Sequence, residues 1–119
     1  MTRFRLEFYR TADGEEPALE YVRRQVKAHR AKIGRALQYL EDSGHQAKRP
    51  LADYLGNQIY ELRVPVDRHQ HRLLYFFHGR EIIVVAVGLL KNEGRVPPSE
   101  ILRARKYRAD WLKRFGGEA

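Results

Sequence analysis

From Arg3 to Arg10, apolar and polar side chains alternate: Phe4, Leu6 and Phe8 share one side, Arg5, Glu7 and Tyr9 the other. Successive side chains of a strand point to opposite faces, so this pattern predicts a half-buried strand. The period then changes. After a turn at TADGEE, Leu19, Val22 and Val26 recur at helical spacing. Pro17 suits the first turn of that helix, and Glu15 and Glu16 complement its positive end. A break near His29 is expected, followed by a second helix on Ile33, Leu37 and Leu40 that Gly44 is placed to end. The short connection predicts an antiparallel helical hairpin.

A loop is expected from His45 to about Leu55, with Pro50 inside it, and then period two returns. Strands are predicted over Gln58–Val64, His71–Phe77 and Glu81–Leu89. HGR, between the last two, is a tight turn because Gly79 tolerates positive φ. IIVVAVGLL is apolar nearly throughout, as a strand covered on both faces should be. Pro97 and Pro98 introduce a last helix, with Ser99 near its start and Ile101, Leu102, Tyr107, Trp111 and Leu112 among its apolar residues. GGEA reads as a frayed tail. This order predicts one α+β domain over residues 1–119. Its last three strands form an antiparallel meander, with the helical hairpin on one face of the sheet.

Composition narrows what such a domain can do. The chain has 119 residues and no cysteine, which excludes a disulfide framework, a zinc–thiolate site and thiol catalysis. No apolar run approaches the ~20 residues needed to span a bilayer, and MTRFRLEFYR lacks the apolar core of a signal peptide. A cytoplasmic protein is expected. The formal charge is +8, and seventeen of the 23 basic residues are arginine. Arginine's planar fork binds phosphate bidentately and stays charged, so an anionic partner is expected, nucleic acid first. A basic surface kept for solubility, or for an acidic protein, is the alternative.

Two of the arginines sit on strands. If Tyr60, Leu62 and Val64 point to the core, Ile59, Glu61 and Arg63 take the opposite, open face of the sheet. Arg72, Leu74 and Phe76 share a face of the next strand, and a register with Arg72 on the open face makes the two guanidiniums neighbours. Like charges so placed repel unless an anion bridges them. That anion could be a ligand, or Glu61 could supply it within a salt-bridge lattice on a solvated face. The pattern leaves both readings standing.

The run LEDSGHQAKRPLADYLGNQIYELR, then HRLLYFF, then VGLLK, resembles the RelE/HigB superfamily of bacterial toxins, in particular the HigB-like branch with phage-derived homologues. VPPSEILRARKYRADW matches that branch's Pro-led final helix. The resemblance implies a RelE-like fold and a metal-independent endoribonuclease, needing no cofactor, that cleaves mRNA on the ribosome. It also implies a helix-turn-helix antitoxin partner. In such enzymes the substrate's 2′-hydroxyl attacks the adjacent phosphorus, leaving a cyclic phosphate and a free 5′-hydroxyl. Matched by position, Arg63 of YELR and Arg72 are implied to bind phosphate and stabilise transition-state charge. Lys91 would be a further phosphate contact or a proton-transfer group. The chain departs from the motif at Val87, Leu89 and Asn92, where many relatives carry His, Phe and a second Lys. The same fold could therefore serve as a non-catalytic RNA-binding or antitoxin-binding module.

Other candidates rest on the residues alone. Asp67, His69 and His71 form DRHQH, a weak metal signal and more simply a polar connection between strands. Arg68 and His71 are candidates for RNA contact, or His71 for proton transfer, since histidine titrates near neutrality. Phe76 is a candidate for base stacking, against core packing for Tyr75 and Phe77. Arg105 and Arg108, with the other bases of the last helix, are candidates for phosphate contact, and equally for docking an acidic antitoxin segment or forming an ordinary solvated face.

Overall fold

The computed structural model describes residues 4–117; Arg3 of the expected first strand, and Glu118 and Ala119 of the tail, lie outside them. Strand β1 (Arg5–Phe8) leads into helices α1 (Pro17–Arg23) and α2 (Lys27–Ser43). Strands β2 (Ala52–Gly56), β3 (Ile59–Val66), β4 (His69–His78) and β5 (Ile82–Leu90) follow, and then helix α3 (Pro98–Trp111). One sheet holds all five strands in the order β1-β5-β4-β3-β2. β1 runs parallel to β5, and every other pairing is antiparallel.

The architecture is α+β, with two corrections to the expected elements. β2 lies where a loop was expected. It is an edge strand paired only to β3, it is five residues long, and its register shifts between Tyr54 and Gly56, where Gly56 has φ +97°. A segment that short, bounded by Pro50 and a bulge, shows no alternation long enough to read. The helical break falls at residues 24–26 and not at His29: Val26 is extended (ψ 156°) and two-thirds exposed, while His29 sits inside α2.

Both faces of the sheet are covered. One carries α1 and α2, with Ala18, Ile33 and Leu40 fully buried against Leu62, Leu73, Tyr75, Ile83 and Val85. The other carries α3, whose Ala104 and Trp111 pack with Ile59, Leu74, Phe76, Val84 and Ala86. The face that bears Arg63 is therefore roofed by α3 along part of its length, and is not open. β5 contributes alternate residues to both layers, which is why it is apolar throughout. Burying each such large side chain contributes roughly 1.5–3 kcal/mol. Gly79 takes φ +61° in the β4–β5 turn, as its sequence requires. No helix among the described residues is long and apolar enough to cross a membrane.

Candidate functional site

β3 and β4 pair with Arg63 directly opposite Arg72. Both side chains lie on the α3 side, where two adjacent cations need a counter-charge, and Glu61 provides it. Two residues before Arg63 on the same face and 1% exposed, Glu61 accepts from Arg72 Nη1 at 2.7 Å and from Arg63 Nε at 3.1 Å. Taking an ion out of water costs several kcal/mol, so a carboxylate this buried persists only because both oxygens are paired.

The two arginines then diverge in role. Arg72 is 2% exposed, and its remaining donors reach backbone: Nε to the Lys91 carbonyl at 3.1 Å and Nη2 to the Gly94 carbonyl at 2.8 Å. It ties the segment between β5 and α3 to the sheet. Arg63 is half-buried, with 31% of its side chain exposed, and sends Nη2 to Asp53 of β2 at 3.4 Å. Asp53 also accepts from Arg49 Nε at 3.1 Å. The hydrogen bond from Arg49 holds the Asp53 carboxyl below its ordinary range; desolvation opposes it, and the Tyr54 amide and the charges of Arg49 and Arg63 assist. Arg49, Asp53, Arg63, Glu61 and Arg72 thus form a ladder of alternating charge from the sheet edge inward.

This ladder lines a cleft of about 560 Å³ between β2, β3 and the segment leading into α3. Tyr54, Leu55, Gly94, Arg95, Val96 and Ile101 complete its wall. Four arginines (49, 63, 72 and 95) against two carboxylates leave two positive charges there. A fixed guanidinium in a partly desolvated cleft attracts an anion more strongly than one in water. Farther along α3, Arg105, Lys106 and Arg108 line a second groove of about 510 Å³ with Asn57 and Gln58 of the β2–β3 turn and Leu102. None of its lining side chains is acidic.

The expected site residues are therefore only partly brought together. Arg63 and Arg72 meet. Lys91 adjoins them through its backbone, its carbonyl accepting from Arg72 and its amide donating to the Gln70 carbonyl. Arg105 and Arg108 lie along α3 beside the start of β3, whereas Arg68 is exposed in the turn after its end. Two expectations fail on burial. Phe76 is 0% exposed and packs edge-on to Trp111, so it has no free face for a base. His71 is 1% exposed on the opposite side of the sheet, because alternation sends it away from its neighbour Arg72. Arg49 and Arg95 were not anticipated. Arg49 could have been found from its spacing of four to Asp53, had β2 been legible. Among the described residues no group of three or more His, Cys, Asp or Glu side chains could hold a metal ion, DRHQH included.

The family model described as "Phage derived protein Gp49-like" matches residues 20–109, about three-quarters of the chain. No curated protein matches the chain.

Proposed function

The chain belongs to the phage-derived Gp49-like family, a toxin-type family of RelE/HigB-like kind, and from that premise we propose that it is the toxin of a toxin–antitoxin pair: an endoribonuclease that cleaves mRNA on the ribosome. The observation that carries this reading is Arg63, held by Glu61 and Asp53 in a cleft of net positive charge while part of its guanidinium stays exposed.

The chemistry asks little more of the protein than placed charge. The 2′-hydroxyl gives up its proton and its oxygen forms a bond to the adjacent phosphorus as the bond from phosphorus to the 5′-oxygen breaks; the 5′-oxygen takes up a proton, and the non-bridging oxygens gain charge in between. Arg63, Arg49 and Arg95 meet that charge, and Arg63, paired to Glu61 and Asp53 before the substrate arrives, needs little reorganisation to do so. Arg72 serves through structure, pairing with Glu61 and holding the Lys91 and Gly94 carbonyls in place. Lys91 supplies a further phosphate contact. The groove at Arg105 and Arg108 continues the path for the strand by sequence-independent phosphate contact. The partners of this reading are mRNA, the ribosome and a helix-turn-helix antitoxin in the cytoplasm.

The test is induced expression with mapping of new mRNA 5′ ends, comparing wild type with Arg63→Ala. Growth arrest with new ends that the substitution abolishes supports the reading. Folded, RNA-binding protein that produces no new ends assigns the cleft to a non-catalytic binding module instead.

A further inference from the structure

The DRHQH motif takes no part in the cleft, yet it is built into a chain of four side chains on the opposite face. Tyr21 Oη of α1 lies 2.7 Å from His71 Nδ1 of β4. His71 Nε2 lies 2.8 Å from His29 Nδ1 of α2. His29 Nε2 in turn faces the exposed carboxylate of Asp67, in the β3–β4 turn, at 3.6 Å. Tyr21 reaches His71 because its ring lies on Gly88 of β5, where a Cβ would come within 2.6 Å of Tyr21 Cδ2. The chain therefore joins both helices of the hairpin to the sheet.

Its proton inventory is constrained. A neutral imidazole has one donor and one acceptor, so with both rings neutral one complete orientation runs outward. Tyr21 donates to His71 Nδ1, His71 Nε2–H donates to His29 Nδ1, and His29 Nε2–H points to Asp67. One added proton is accommodated by reversal: His29 becomes the cation beside Asp67, donates to His71 Nε2, and His71 Nδ1–H donates to Tyr21. A second proton has no such solution. It sets N–H against N–H across 2.8 Å and puts a cation on a ring that is 1% exposed.

We propose that Tyr21, His71, His29 and Asp67 form a proton-operated latch, which holds the α1–α2 hairpin on the sheet with zero or one added proton and releases it with two. The charged and titratable groups facing it are Tyr21 and Arg24 from α1, His29 from α2, Asp67 from the turn and His69 from β4, whose ring sits 5.2 Å from that of His29. The neighbours of His71 in register on β3 and β5 are Val64 and Leu90, which do not titrate. Burial first, then His29 and His69, push His71 below its ordinary value of 6.5. A histidine lowered in the folded state contributes stability that is present above 6.5 and lost as pH falls through its folded value. The carboxylates Asp53 and Asp110 are held below 3.8, so their loss falls at more acidic pH. Val64, which pairs with His71, follows Arg63, and His71 precedes Arg72, so release loosens the strands that carry the cleft.

The test is hydrogen exchange of peptides within residues 17–43 of the full chain, corrected for intrinsic rate, from about pH 7 to about pH 5. Imidazole nitrogen NMR over the same range reports the rings directly. In the wild type the opening constant of the hairpin should rise by up to about tenfold per pH unit, with α3 unchanged. His29→Gln, whose amide oxygen can accept from a charged His71 with no N–H set against N–H, should flatten that slope. Equal slopes in wild type and His29→Gln overturn the latch. If His29→Gln does not fold, the wild-type rings decide: one proton taken up before opening supports it, and both rings charged in a closed hairpin sinks it. None of these readouts depends on RNA cleavage.

Discussion

Arg63 and Arg72 oppose each other across β3 and β4, and the Glu61 carboxylate stands between their guanidiniums, bonded to both. One carboxylate thus neutralises a buried arginine and aims a half-exposed one. Substitutions at the three positions should separate these jobs.

Removing the aimed charge should cost activity more than stability. Arg63→Ala is expected to lower RNA cleavage by about 10²–10³-fold, the usual cost of losing one preorganised transition-state donor. Its pair with Asp53 is partly solvated, but Glu61 Oε1 loses its partner in a buried position, so denaturant melts should shift by about 1–3 kcal/mol, less than the loss of Arg72 costs. Cleavage assays and urea melts on the same preparation check both figures.

Breaking the buried pair should do the reverse. Arg72→Ala leaves buried Glu61 with only the half-exposed Arg63, and Glu61→Leu strands Arg72, so each is expected to cost about 3–5 kcal/mol. A double substitution to apolar residues, Arg72→Met with Glu61→Leu, should be more stable than either single variant, because no unpaired charge remains. Urea melts of the four proteins decide it. A double variant no better than the worse single would contradict the pairing.

The groove along α3 should reveal itself through salt. If Arg105 and Arg108 each neutralise one phosphate, replacing either with Ala should weaken single-stranded RNA binding for all sequences alike. It should also reduce the magnitude of the log–log salt slope by about 0.7. Binding isotherms at several salt concentrations measure it; an unchanged slope removes the groove from the RNA path.

At high pH the tyrosines should report the packing. Burial, with a hydrogen bond to Asp110, pushes Tyr9 up to about 12, and burial pushes Tyr21 up to about 12 as well. A phenol raised in the folded state contributes stability that is present below its ordinary value of 10 and lost as pH rises through the folded value. Phenolate absorbance should therefore show a set of tyrosines that ionises late, together with unfolding between about pH 10 and pH 12. Ionisation of all tyrosines near 10 in folded protein would refute the packing at Tyr9 and Tyr21.

Much of this arrangement was legible in the chain. Alternation placed Arg63 opposite Tyr60, Leu62 and Val64, and the continuous apolar run of β5 announced a strand with two covers. The competing explanation for paired arginines, an internal bridge through Glu61, was also legible, but its burial was not. Arg72 is tied down by the segment between β5 and α3, through the Lys91 and Gly94 carbonyls, and no local pattern says on which face such a segment and its helix will dock. β2 escaped notice because a short edge strand needs only one partner and little apolar character. His71 and Phe76 could be assigned to faces by alternation, but whether a face is free is a property of packing, which periodicity does not report.

Strand β1 has a consequence for synthesis. Its partner is β5, with Arg5 beside Ile82, 77 residues later in the chain. At ~5–20 residues per second, β1 waits roughly 4–15 s before its neighbour has even been made. Throughout that interval the α1–α2 hairpin has no finished sheet beneath it. The cleft arrives later still, since its wall includes Gly94, Arg95, Val96 and Ile101. A growing chain therefore carries Arg49, Arg63 and Arg72 before it has anywhere to hold them, and a ribosome making this protein is finished with most of it before the site exists.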